Sequence, residues 1–425
     1  MKNILLIIFL LFLTFGAAAQ NINGRISSSV YSFERFETEQ ISNTYYRAYQ
    51  MLNLNINKDR FSLRTFMNLE DDFTKKLEYD PRLRVYSLFL EARDLFDVAT
   101  VKLGRQPIYN SVTGGTFDGG LLALKYDDYR LTGYYGANTP AYQKLGIIEN
   151  FSENMIAGAD FYADLPYNMT LGLSYVNKNF KTQDYNALRM DDDLNPINLL
   201  IRAKSLQYQF ASAKLGYSLP ELIDVNLRYD FDMNIWSTSK LELTTEYKAT
   251  SKINLDLYYN YREPRVRYNS IFSVFDYGNT QEIEIGGGYR LLKDLTATAR
   301  FGYVKYADEN SSRLNVGVTS KYGSLSYRKT FGYAGELDAV SLYSGYTFFD
   351  GLLTPSVGLS YTTYKLISSA EKNDLMTLLA GVNIRPYRVL SADLQAQYMN
   401  NKIYKNDFRL LFRVNYWFNT NLSLL

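Results

Sequence analysis

Residues 252–262 read KINLDLYYNYR, and this stretch decides the fold. Ile253, Leu255, Leu257, Tyr259 and Tyr261 fall on one face of an extended chain, with Asn254, Asp256, Tyr258, Asn260 and Arg262 on the other. A period of two scrambles both faces of a helix but gives a strand one apolar and one polar surface. The first surface suits lipid and the second suits water.

The pattern recurs from Ile22 almost to the end of the chain. In VNLRYDFDM, Val225, Leu227, Tyr229, Phe231 and Met233 oppose Asn226, Arg228, Asp230 and Asp232. LTATARFGYV sets Leu295, Ala297, Ala299, Phe301 and Tyr303 against Thr296, Thr298, Arg300 and Gly302. VLSADLQAQY sets Leu390, Ala392, Leu394, Ala396 and Tyr398 against Ser391, Asp393, Gln395 and Gln397. About 22 such segments are expected, within a range of roughly 16 to 22, and a chain of this kind closes into a transmembrane antiparallel up-and-down β-barrel. Closure is required because an open edge in lipid leaves backbone groups unpaired at several kcal/mol each.

The links alternate in length. Short ones lie near Asn57, Asp94, Asp127, Pro166, Pro220, Thr250, Lys293, Gly323, Asp350 and Pro386. Longer ones run from Asn138 to Met155, Asn179 to Ala203, Glu263 to Thr280, Ala307 to Ser311 and Ile367 to Asp374. Short periplasmic turns alternating with longer extracellular loops put both termini in the periplasm.

The chain has 425 residues, with 39 Tyr and 25 Phe against 2 Trp and 9 Pro, and neither Cys nor His. Tyrosine suits both a pleated surface and the membrane interface. An exported chain without cysteine has no disulfide scaffold, so a large core or a closed sheet must stabilise it. The net charge of +2 gives no hint of nucleic acid.

The first 20 residues, MKNILLIIFLLFLTFGAAAQ, carry Lys2, an apolar stretch from Ile4 to Phe15 and the small residues Ala17, Ala18 and Ala19. They read as a secretory signal peptide, residues 1–19, followed by a single outer-membrane barrel over residues 20–425. No segment is left ahead of the first strand for a globular plug.

Missing residue types exclude chemistry. Without histidine there is no histidine-dependent triad or dyad, and without His and Cys a zinc, haem or iron–sulfur site is not expected. The chain reads as no enzyme, with no metal and no cofactor. Its polar face carries Arg64, Arg93, Lys102, Arg105, Gln106, Asp118, Lys125 and Arg130 in the early strands and Arg228, Asp230, Asp232, Asp256, Glu284 and Arg300 in the middle ones. These are the candidate pore-lining or constriction residues. A basic wall facing an acidic wall would orient hydrated solutes, while the alternative is paired charges stabilising a partly filled lumen.

One segment departs from alternation: VKLGRQPIYNSVTGGTFDGGLLALKYDD, Val101 to Asp128. Gly114, Gly115, Gly119 and Gly120 surround Asp118, and Pro107 follows LGRQ. Glycines permit close backbone approaches, so the stretch reads either as an inward-folding constriction or as an extracellular hairpin or bulged strand. LGRQ followed by a glycine-rich stretch ending in DG resembles the early-strand region of the alginate-export-like and related porin families. That resemblance implies a pore for anionic sugars or other small solutes, with Arg105, Gln106 and Asp118 carried over and Arg105 as a solute contact.

The run Asp191, Asp192 and Asp193 is either a calcium site or a solvated loop. The last strand, FRLLFRVNYWFNTNLSLL, resembles the aromatic-rich signal read by the barrel-assembly machinery, but it ends in Leu425. Either the signal is a variant, or Asn419 to Asn421 form a turn. The functional expectation is a porin-like channel of the Gram-negative outer membrane, passing small hydrophilic solutes by diffusion. The alternative is a structural or adhesive barrel whose surface loops, such as the stretch from Arg262 to Gln281, bind partners.

Overall fold

The computed structural model describes residues 20–422 apart from 39–40, 77–80, 149, 182–184, 191–194, 202–206, 267–277, 307–308, 333–334, 366, 368 and 403–404. The expected signal peptide, the acidic run and most of the proposed adhesive loop lie outside the described residues.

Twenty-two strands form one antiparallel sheet that closes on itself. β1 (Gln20–Phe36), β2 (Ser42–Lys58), β3 (Phe61–Asp72), β4 (Arg82–Leu95), β5 (Ala99–Tyr109), β6 (Gly114–Tyr126), β7 (Tyr129–Asn138), β8 (Met155–Leu165) and β9 (Met169–Lys178) each pair with the next. A separate hairpin of β10 (Tyr185–Met190) and β11 (Pro196–Ile201) interrupts the sequence, and β12 (Tyr208–Leu219) then pairs with β9. The wall continues through β13 (Ile223–Asp232), β14 (Ser237–Lys248), β15 (Ile253–Arg262), β16 (Thr280–Leu292), β17 (Leu295–Lys305) and β18 (Asn310–Ser320). It ends with β19 (Gly323–Gly332), β20 (Leu337–Gly345), β21 (Leu353–Tyr364), β22 (Asn373–Tyr387), β23 (Leu390–Asn401) and β24 (Asp407–Leu422). β24 closes on β1, with Gln20 opposite Leu422 and Ser32 opposite Leu410. Among the described residues there is no plug domain.

Each expected short link joins a hairpin at one end of the barrel, and the described chain begins and ends there. The longer links gather at the other end. Side chains obey the period of two around the wall: Leu227, Leu255, Ile285, Phe301 and Phe412 are exposed on the outer surface, while Arg228, Asp256, Glu284, Arg300 and Arg413 occupy the alternate, lumenal positions. Asn419, Thr420 and Asn421 are not a turn. They continue β24 opposite Asn23, Ile22 and Asn21, and the side-chain amide of Asn21 reaches both Asn419 and Asn421.

The wall departs from a simple cylinder at the glycine-rich stretch. β5 pairs with β4 only from Leu95 opposite Ala99 to Leu88 opposite Arg105, although β4 runs on to Arg82. Gly104 sits where the two part, with φ of 125°, and a Cβ there would lie 2.4 Å from the Leu88 carbonyl oxygen. Above this point Arg84 of β4 bridges to Lys144 in the β7 to β8 link. The hairpin β5–β6 thus leaves its place beside β4, and the link takes over that edge.

Gly104→Ala should therefore destabilise the barrel, by at least about 1–3 kcal/mol for the backbone strain alone. The folded band of the variant should convert to the unfolded one at lower temperature on SDS gels. Conversion at the wild-type temperature would mean the bend does not depend on this glycine.

Candidate functional site

The displaced hairpin reaches across the lumenal face of its neighbours. Ile108 and Val112, near its tip, pack against Phe117, Tyr134, Ile156, Val176 and Phe210, which stand on the lumenal faces of β6, β7, β8, β9 and β12. Phe117 has no exposure to solvent. Apolar side chains at inward positions are what interrupts the alternation here. Each buried one is worth about 1.5–3 kcal/mol against exposure to lumenal water, so the hairpin is held inward by burial and not by its own turn alone. The packing is close: a Cβ on Gly136 would meet the Phe117 ring at 2.8 Å.

Polar contacts fix the tip. The Asn110 side-chain oxygen accepts from the backbone N–H groups of Val112 and Thr113 at 3.0 and 2.8 Å, while its amide nitrogen donates to Asp160 at 2.9 Å and to the Tyr134 hydroxyl at 3.2 Å. Arg228 of β13 donates to the Ser111 carbonyl, and Arg265, just beyond β15, donates to the Val112 carbonyl at 3.1 Å. Both arginines converge on Asp230, which is fully buried and also accepts from Ser212 at 2.7 Å. Arg265 lies 4.5 Å over the Phe210 ring, and burial lowers its pKa against the raising effect of Asp230. A turn in one sector of the wall is thereby latched to a sector several strands away.

Arg105, expected to touch solute, does other work. It shares with Asp118 the face opposite to Gln106 and Phe117, and it is only 7% exposed. Its guanidinium makes two bonds to the Asp118 carboxylate, at 2.7 and 2.8 Å, and donates to the carbonyls of Val85, Gln143, Lys144 and Gly146. Gln106 is fully buried and donates to the Lys102 and Gly119 carbonyls. These three residues are removed from the pore surface. Arg105, held by Asp118, fastens the β7 to β8 link behind the hairpin, while Gln106 ties β5 to β6.

The other candidates lie on the lumenal face. Arg64, Arg93 and Lys102 surround the buried carboxylate of Glu91 at 2.7, 3.9 and 3.4 Å. Lys125 stands opposite Arg130, which is 3.9 Å from Asp164 and stacks on Tyr162. Along β3 to β7 these five cations meet two carboxylates, and Lys102 borders the apolar cluster through its register with Leu121. The middle strands are different. Arg300 pairs with Asp256 at 3.0 Å, Arg313 holds Glu284 at 2.8 Å together with Glu282, and Asp232 accepts from the Asn234 N–H at 2.9 Å. Asp224, Glu246 and Asp256 follow one another across β13, β14 and β15, with Arg300 reaching the last. Basic and acidic sectors both exist, but only β8, β9 and β12 separate them, so they are not diametrically opposed.

Two functional residues escaped the sequence reading. Glu91 was findable, since it alternates with Phe89 and Arg93 in step with the inward set. Arg265 was not, because it lies past the end of the periodic stretch and its partners are distant in sequence.

No protein-family model matches the chain, and no curated protein matches it. Among solved structures, an E. coli P pilus tip assembly intermediate, PapC-PapD-PapK-PapG, aligns at a TM-score of 0.54 and 10% identity, covering 93% of this chain and 61% of that one. OccAB4 of Acinetobacter baumannii aligns at 0.43 and 11% identity, covering 94% and 98%. A BenF-like porin from Pseudomonas fluorescens Pf-5 aligns at 0.41 and 12%, covering 95% and 99%. The first of these likenesses concerns the fold alone, a closed antiparallel β-barrel.

Arg105→Ala should leave the largely covered Asp118 carboxylate without its partner and cost up to about 3 kcal/mol. Limited trypsin digestion should then cut at Lys144, whose carbonyl Arg105 holds, faster than in the wild type; equal rates in both would remove Arg105 from this role.

Proposed function

We propose that this barrel is an outer-membrane channel for passive diffusion of small hydrophilic solutes, with a preference for anions. The observation that carries this reading is the closed wall of 22 strands, which encloses far more space than side chains fill. Its lumen is polar and is narrowed on one side by a hairpin drawn from the wall itself. The apolar outer surface supports residence in a bilayer, and the uneven link lengths support an orientation with the short turns in the periplasm. A solute passing the hairpin meets Arg64, Arg93 and Lys102, whose charge Glu91 offsets only in part. Such an excess of one sign in a narrow aqueous path raises the local concentration of the opposite ion. Anionic sugars are compatible with this arrangement.

Reconstitution in a planar bilayer should give stepwise currents, and a KCl gradient should give a reversal potential on the chloride-selective side. Arg64→Ala combined with Lys102→Ala should move that potential toward zero. A correctly inserted barrel that carries no current would overturn the channel reading and favour the structural or adhesive one. A current whose selectivity ignores both substitutions would overturn only the anion preference.

The latch yields a further expectation. Arg265→Ala releases the Val112 carbonyl, so unit conductance and open-channel noise should both rise. Unchanged conductance would mean that the hairpin tip does not limit the path.

A further inference from the structure

The apolar cluster that holds the hairpin does not close completely. Between the hairpin tip and the strand ends of β9 and β12 it leaves an open cavity of about 280 Å³, lined by Val112 of the tip and by the rings of Phe180, Tyr208 and Phe210. The rings are set at fixed angles. Tyr208 and Phe210 lie nearly parallel, with centroids 6.4 Å apart and 29° between their planes, while Phe180 meets Tyr208 edge-on at 6.3 Å and 85°. Phe180, just past the end of β9, is anchored through its backbone, since its N–H donates to the side-chain oxygen of the buried Gln207 at 3.0 Å.

Two cations complete the lining. Arg265 lies over Phe210 and is engaged by Asp230 and the Val112 carbonyl. Lys178, the last residue of β9, is different. Its ammonium sits 5.1 Å over the Phe180 ring, and no Asp or Glu lines the cavity. Elsewhere on the lumenal wall Arg64, Arg300 and Arg413 each meet a carboxylate. Lys178 is half-buried and meets none, and among the described residues nothing accepts from its three N–H groups. A charge held against apolar groups without a partner is destabilising, and an anion entering the cavity removes that penalty.

We propose that this cavity is a subsite for a small aromatic anion, a single flat ring carrying one carboxylate or sulfonate. The acid group meets Lys178, and the ring lies among Phe180, Tyr208 and Phe210. This deepens the channel reading and rests on it for how the solute arrives. The cavity volume is at the lower end of what ligand pockets enclose, so it suits one ring and not a larger molecule. A hydrated inorganic anion gains nothing from the three rings. A saturated body is buried by them but lacks the stacked and edge-on contacts that a flat ring makes. Because Val112 belongs to the hairpin tip, a solute held here stands beside the element that narrows the lumen. Binding must be weak enough for it to leave again.

Saturation-transfer NMR on the full barrel in lipid nanodiscs reads contact without requiring conduction. Irradiating the protein should saturate the ring protons of benzenesulfonate. Benzyl alcohol, a ring without charge, and cyclohexanesulfonate, a charge without a flat ring, should each bind at least ten times more weakly. The dissociation constant for benzenesulfonate should rise at least tenfold in Lys178→Met and in Phe180→Leu. Lys178→Met keeps the apolar stem and breaks no ion pair, so the variant should fold, as its heat-shifted band on SDS gels will show. Lys214→Met, which removes a cation of β12 outside the cavity, should bind as the wild type does. Absence of transfer, equal binding of the flat and the saturated sulfonate, or undiminished binding in Lys178→Met would each overturn the proposal. Binding to a barrel that carries no current would overturn the channel reading and leave the subsite standing, whereas current without binding would overturn the subsite alone.

Discussion

A bilayer supplies no partner for backbone N–H and C=O groups, and the pairing of β1 with β24 is the interaction through which this chain meets that constraint. Every other strand has a neighbour within a few tens of residues. The closing pair joins residues 400 apart, such as Asn21 and Asn421, and it forms only after the whole circuit is in place. Side chains reinforce the seam: Ser27 donates to Asn415, which in turn donates to Ser391 and Asp393, so three adjacent strands are tied in a buried row. The circumference set at this seam fixes the lumen that the remaining side chains must manage.

Twenty-two strands enclose a space too wide to be filled by inward side chains alone. The chain responds by giving up ideal pairing in one place. β5 leaves β4, and the backbone groups so exposed are covered by the β7 to β8 link, held there by Arg105. In exchange the hairpin gains an apolar cluster and the latch at Asp230. Buried ion pairs are seldom net stabilising compared with hydrophobic replacements, but breaking one leaves a charge stranded. That asymmetry makes Arg105 with Asp118, and Arg228 and Arg265 with Asp230, better understood as devices that specify one position of the hairpin than as sources of bulk stability.

Much of this architecture was legible in the sequence because it is local. Alternation in stretches such as 252–262 assigns each residue to lipid or lumen, and the uneven links give the hairpin order and place both ends of the described chain together. The glycine-rich stretch was legible as an interruption, and one of its two readings, the inward fold, is what the structure shows. The role of Arg105 was not, because position on a strand says nothing about whether that strand stays in the wall. Once Gly104 turns β5 aside, the surface that would have faced outward is covered by another segment. Likewise, an inward carboxylate such as Asp256 and an inward arginine such as Arg300 read as members of opposing walls, when the register places them on either side of β16, across Gly286, and in contact.

The hairpin that narrows the lumen is built from two staves of the barrel. In a pore narrowed by a free loop, that loop can be cut out and the wall remains whole. Here the same excision would open a slit beside β4 that faces lipid, and would strip the link that seals it of its anchor at Arg105. Bore and leak-tightness are thus set by one element, and any widening of this lumen has to work through the side chains at Asn110 to Thr113 rather than through the length of the chain.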